Sequence, residues 1–166
     1  MRIGILSDSH GHAGNLKRAL DLCRENGITR IIHCGDLAAV NMVRHFAGFD
    51  VSYVYGNVDD SHGEIELALA MQNVRNSADL VYTGNIGGVS VAATHGHLRG
   101  KVEELARSKQ YRYVFTGHTH RRRDELVKRT RIINPGALGG TRYQDRSMCI
   151  LDLETDIAEF VTIAKW

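Results

Sequence analysis

Apolar residues fall along the chain in short blocks separated by polar punctuation. "RIGILS" (2–7), "RIIHC" (30–34) and "VSYVY" (51–55) are apolar runs of strand length. Between the first two, Leu16, Ala19, Leu20 and Cys23 recur at helical spacing before Gly27, a helix stop. A short helical segment near "LAAVNMVRHF" precedes the third run, so the first third of the chain predicts a parallel sheet with crossover helices. Farther on, "SHGEIELALAMQNVR" is weakly helical, and "LVYTGNIGGVSVAAT" predicts two strands around a glycine-containing turn. "GKVEELARSKQ" places Val102, Leu105 and Ala106 on one side of a helix. "YRYVF", "RIIN", "SMCILDL" and "IAEFVTI" read as strands, the last two joined by the turn "ETD". The sequence has no internal repeat and no low-complexity linker. Residues 1–166 are therefore expected to form one mixed α/β sandwich domain.

Composition narrows the function classes. A chain of 166 residues that is 43% hydrophobic is long enough to bury a core. A formal charge of +2 does not by itself imply a polyanion-binding protein, so stable nucleic-acid binding is not expected. The three cysteines, Cys23, Cys34 and Cys149, lack CxxC spacing and sit in apolar surroundings, which predicts buried reduced thiols. "MRIGILSDSH" turns polar too early for a signal peptide, and no stretch approaches the ~20 apolar residues of a membrane span. The expectation is a cytoplasmic protein without a membrane partner; a homo-oligomer stays open.

The chemistry lies at the ends of the strands. "ILSDSH" supplies Asp8 and His10, "IIHCGD" Asp36, "YVYGNVD" Asn57, "VAATHGH" His95 and His97, and "VFTGHTH" His118 and His120. In an extended "HTH" segment the two imidazoles would point the same way. Any one of these residues is unremarkable: a histidine beside a strand is usually structural, and Gly-Asn is usually a turn. Five strand ends in succession carrying Asp, Asn or His beside glycine are another matter, because the carboxyl ends of parallel strands share the edge where ligands bind.

The ordered set "DSH", "GD", "GNVD", "HGH" and "GHTH" resembles the calcineurin-like metallophosphoesterase superfamily. The short length, "THGH" and "NPGA" look most like its small single-domain prokaryotic phosphodiesterases, the YfcE-like branch. The resemblance implies an α/β fold, a four-layer αββα sandwich with mixed β-sheets, around a two-metal centre. Asp36 would bridge the ions; Asp8, His10 and His120 would complete one ligand set, and Asn57, His95 and His118 the other. It points first to manganese; mixed imidazole and carboxylate ligands suit iron, cobalt, nickel or zinc as well, and calcium poorly. Two divalent ions, two aspartates and one hydroxide leave the site at about +1, which attracts a phosphate ester. Such ions, about 3.5–4 Å apart, activate a shared water as hydroxide, so no side chain serves as nucleophile.

One position departs from the family pattern. Where many relatives carry histidine after Gly-Asn, this chain has Val58, which cannot donate a proton. His12, His62 and His97 are the candidate acids, His97 being open to a structural reading as well, and Asp59 suits either the orienting of a neighbouring imidazole or an ordinary turn. Arg99, shortly after "HGH", is a candidate phosphate contact. Arg121, Arg122 and Arg123 suit either a positive rim for a nucleotide or an ordinary solvated strand or loop. "NPGALGG" (134–140) reads as a tight surface turn, which the family resemblance puts at the border of the site, and His33 and His45 are expected to be structural. The expectation is a metal-dependent phosphoesterase, a phosphodiesterase before a phosphomonoesterase, acting on a small phosphate ester. A non-catalytic protein-binding scaffold of the same fold would predict eroded ligands, and all seven expected positions are intact.

Overall fold

The computed structural model describes residues 1–163. Its elements are β1 (Arg2–Leu6), α1 (Ala13–Glu25), β2 (Arg30–His33), a 3₁₀ segment (Val40–Phe46), β3 (Asp50–Val54), α2 (His62–Gln72), β4 (Ser77–Asp79), β5 (Val81–Ile86) and β6 (Val89–Thr94). They continue with α3 (Lys101–Arg107), β7 (Tyr113–Phe115), β8 (Arg122–Val127), β9 (Thr130–Pro135), β10 (Ser147–Asp152) and β11 (Ile157–Thr162). One mixed sheet has the order β11-β10-β1-β2-β3-β4, and the other β5-β6-β7-β9-β8. β1, β2, β3 and β4 pair in parallel, as do β6, β7 and β9, while β10, β11, β5 and β8 run antiparallel to their neighbours.

Strand alternation builds the layers. Ile3, Ile5, Cys149 and Leu151 project from the first sheet onto Val91, Ala93, Tyr113, Phe115 and Ile133 of the second, closing the inter-sheet core. Leu6, Ile31, Val51, Met148 and Ile150 project from the opposite face and meet Leu16, Leu20, Met42, Phe46 and Leu69 from α1, the 3₁₀ segment and α2. Val102, Leu105 and Ala106 of α3 cover Ala92, Val114 and Ile132 on the outside of the second sheet. Helices therefore flank two stacked sheets, the expected αββα arrangement. Gly4 fixes the approach of α1, since a Cβ there would lie 2.8 Å from both Cys23 Sγ and the Ile31 side chain.

Two strands were absent from the sequence expectation. β4 is three residues long, and its "SAD" carries no apolar signal. β8, "RRDELV", is an edge strand whose charged side chains face solvent, a common protection of a sheet edge. The helical segment expected at residues 37–46 is the 3₁₀ helix, and the two strands around a glycine turn are β5 and β6 with Gly87 and Gly88 between them. Cys23, Cys34 and Cys149 are all buried free thiols, and no described helix is long and apolar enough to cross a membrane.

Candidate metal centre

The loops leaving β1, β2, β6 and β7 meet over the carboxyl edge of both sheets. They are laced by backbone hydrogen bonds: Asp8 N–H donates to Gly35 O, His10 N–H to Asp36 O and Gly117 N–H to His95 O, at 2.8 to 2.9 Å. Asp8, His10, Asp36, His118 and His120 all adopt positive φ, between 43° and 67°. Aspartate and histidine are among the few residue types besides glycine that tolerate this region, so chemistry and backbone geometry select the same letters.

Two groups of potential ligands result, Asp8 with His10 and His120, and Asp8 with Asp36 and His95. Asp36 Oδ2 lies 3.4 Å from His10 Nε2 and 3.3 Å from His95 Nε2. Asp8 Oδ1 lies 3.2 Å from His120 Nε2, 3.8 Å from His10 Nε2 and 4.0 Å from His95 Nε2. Both carboxylates thus face both groups. The centre fits a cation on its hydrogen bonding. His95 Nδ1 donates to Cys34 O at 2.6 Å, and His120 Nδ1 to Thr141 O at 2.7 Å. A carbonyl only accepts, so in each neutral ring Nε2 presents a lone pair towards carboxylate oxygens. Asp8 Oδ1 and His95 Nε2 are buried without a hydrogen-bond partner, as expected of atoms that need a positive charge between them.

The titration behaviour agrees. Burial pushes the Asp8 carboxyl up, but contacts with His10 and His120, the charge of His95 and the Ser7 hydroxyl outweigh it and hold Asp8 well below the usual carboxylate range. Burial pulls His95 down, and the 3.3 Å approach of Asp36 Oδ2 and the charge of both carboxylates outweigh that pull, so its pKa is raised. The Asp8 contact likewise raises His120 against burial. His97 and His118, farther from the carboxylates, are lowered by burial and by neighbouring His95. The centre has a negative potential that protons or metal ions would answer.

Glycine lets the backbone come this close. A Cβ on Gly56 would sit 1.9 Å from Asp36 Oδ1, and one on Gly140 would sit 2.5 Å from His10 Cδ2 and 2.6 Å from His120 Cε1. Asp59 departs from expectation. Its buried carboxylate orients no imidazole; it accepts from the backbone N–H groups of Asp36, Leu37, Ala38 and Gly56 and from the Tyr53 hydroxyl, at 2.5 to 3.1 Å. Those five donors make Asp59 the anchor of the loop that carries Asp36. Sequence offers little hint of this, because backbone amides have no letter of their own.

The other expected residues divide. His118 and His120 are not on an extended segment; in their left-handed turn His120 faces Asp8 and His10, and the His118 ring lies 5.1 Å from that of His95. His97 is not in either ligand group but lies beside the second, its ring 5.4 Å from His95 and 6.4 Å from His118, with Nδ1 buried and unpartnered. Asn57 is exposed at the same edge, after β3. Arg99 is exposed and makes no side-chain hydrogen bond or ion pair among the described residues. His62 stacks on Tyr55 at 3.8 Å, and His12 is exposed at the start of α1. His33 is structural, fully buried and stacked on Tyr53. Sequence reading missed Asn134 and Arg146. Asn134 Nδ2 donates to Gly117 O at 2.7 Å, bracing the "GHTH" turn, and Arg146 donates to the carbonyls of Gly139 and Gly140. "NPGALGG" flags the neighbourhood of Asn134 but not its bond.

Comparison with known proteins matches this geometry to a family. The sequence profile of the calcineurin-like phosphoesterase superfamily domain matches residues 1–156. Phosphodiesterase MJ0936 of Methanocaldococcus jannaschii is 31% identical over 156 residues, spanning 93% of this chain and 94% of that protein. The solved structure of an archaeal phosphodiesterase superposes with a TM-score of 0.93 at 30% identity, covering 98% of this chain and 99% of the other. YfcE, a phosphoesterase from E. coli, shares the fold with a TM-score of 0.70 at 19% identity, covering 99% of this chain and 100% of its own.

Proposed function

The chain belongs to the calcineurin-like phosphoesterase superfamily, and from that membership we propose that residues 1–166 form one metal-dependent phosphodiesterase domain acting on a small phosphate ester. The observation that carries this reading is the position of Asp36 Oδ2, within 3.4 Å of imidazole nitrogens from both ligand groups. Asp36 would be held in common by both ions. Asp8, His10 and His120 complete one metal site, and Asn57, His95 and His118 the other. When bound, two divalent ions, manganese first among them, supply Lewis acidity to a phosphate oxygen and lower the pKa of a shared water. The protein's part is to hold the ligands. His95 and His120 are locked in one tautomer by their Nδ1 bonds to Cys34 O and Thr141 O. Asp59 keeps the Asp36 loop in place. With Val58 unable to donate a proton, His97 is the imidazole that would protonate a departing oxygen, and the lowering of its pKa by burial and by His95 confines that role to its protonated fraction, which grows as pH falls. Cytoplasmic residence fits the three buried thiols, which a reducing compartment keeps free.

The test is hydrolysis of bis-p-nitrophenyl phosphate beside p-nitrophenyl phosphate by chelated protein, before and after addition of Mn²⁺, Fe²⁺, Co²⁺, Ni²⁺ or Zn²⁺. Metal-restored turnover with preference for the diester is expected. Preference for the monoester would replace the diesterase reading with a phosphatase, and absence of both activities with two metals bound would overturn it. A leaving-group series on His97→Ala checks the acid: the dependence of rate on leaving-group pKa should steepen, and an unchanged slope assigns His97 to structure.

A further inference from the structure

Of the three consecutive arginines after "HTH", two are engaged. Arg122 reaches the Asp145 carbonyl, and Arg123 pairs with Glu125 at 2.7 Å. Arg121 has no acidic partner among the described residues; its guanidinium instead lies over the Tyr143 ring, 4.9 Å from the centroid. Tyr143 is 59% exposed, although it belongs to a loop tied to the metal centre. Thr141 O accepts from His120 Nδ1, Gln144 Oε1 accepts from the Arg122 N–H, and Arg146 holds the carbonyls of Gly139 and Gly140. Those ties place the Tyr143 ring 6.4 Å from the His120 ring. A large aromatic group is thus presented to solvent beside a ligand of the centre, backed by an unpaired cation.

We propose that Tyr143, steadied by Arg121, is a stacking platform for a nucleobase, making the substrate class a nucleoside phosphate ester. The inference rests on the phosphoesterase reading of the same centre. The 6.4 Å between the His120 and Tyr143 rings is of the size that a pentose spans between its phosphate and its base. Any base can stack on an aromatic face, so the platform selects for a planar base without reading its identity. The cation over the ring adds attraction for the electron-rich face and restricts the side chain to one orientation. Arg121 acts through Tyr143 and is a positioning residue.

The test separates the platform from turnover by measuring binding. Adenosine 5′-monophosphate and ribose 5-phosphate are titrated calorimetrically into the Mn²⁺-loaded protein; they share the phosphate and sugar and differ in the base. The wild type should bind the nucleotide about tenfold more tightly, the effect of one stacked base. Tyr143→Ala should bring the ratio near one, and Tyr143→Phe, which keeps the ring, should retain it. Arg121→Gln should lower the ratio while leaving ribose 5-phosphate affinity in place. Equal binding of the two ligands by the wild type, or a ratio that survives Tyr143→Ala, overturns the platform. Failure of the phosphoesterase reading shows separately, as absent hydrolysis of bis-p-nitrophenyl phosphate by the same sample.

Discussion

The centre around Asp8 and Asp36 and the cluster around Arg131 both gather carboxylates from distant parts of the chain, yet they balance charge in opposite ways. Arg131, on β9, reaches Asp124 of the neighbouring strand with Nε and Nη2 at 2.7 Å and Asp156, in the turn between β10 and β11, with Nη1 at 2.6 Å. Arg112 and the Tyr113 hydroxyl close on the same Asp156. Every charge there meets its opposite within the protein. At the metal centre two buried carboxylates face three imidazoles, two of which commit their Nδ1 protons to backbone carbonyls. A carboxylate cluster with an arginine holds two sheets together; one without an arginine is arranged to hold a cation from solution.

Removing charge from each cluster should separate the two. Asp36→Asn should cost the largest effect, at least about a hundredfold in turnover with loss of stoichiometric metal, because it strips a ligand shared by both groups. Turnover together with metal content by atomic absorption checks this, and retention of two ions at near-normal rate would refute the bridging role. Asp59→Asn should follow, since five donors lose a buried anion: about 3–5 kcal/mol of stability by urea denaturation, with metal affinity falling in parallel. Stability that fell with metal affinity untouched would detach Asp59 from the Asp36 loop.

A third test uses His33, which burial pushes down to about 4, against the charges of Asp59 and Asp8. A buried base of lowered pKa binds its proton in the unfolded chain first, so its contribution is complete above pH ~6.5 and is lost as pH falls towards about 4. From pH 7 to 5 the wild type should lose about 2 kcal/mol from this group, and His33→Gln should lack that component of the slope. Identical pH profiles would remove His33 as the cause. Arg131→Gln should give the smallest effect, about 1–2 kcal/mol of stability, with metal content and turnover unchanged. A change in metal binding there would break the contrast between the two clusters.

The sequence disclosed the centre better than its supports. Asp8, Asp36, His95 and His120 were legible because few side chains bind metals and each follows an apolar run that ends beside glycine. The sandwich was legible in the alternation of β1 and β10, whose residues divide between two cores. Asp59 read as the orienter of an imidazole or as an ordinary turn aspartate, and its anchoring role was not legible, because four of its five partners are amides that every residue possesses. β8 was hidden because an edge strand can be charged on every residue that faces water. His118 and His120 both lie beside the centre, but not on the extended segment inferred for them; their left-handed backbone depends on the loops they cross.

That left-handed backbone sets the direction in which this protein can drift. Each non-glycine residue held at positive φ costs the fold about 1 kcal/mol or more, and five candidate ligands are held that way. Substituting glycine at such a position relieves the strain while deleting the ligand. A library screened for heat resistance alone would therefore enrich dead enzymes, and the sturdiest descendants of this chain would be those that had forgotten their chemistry.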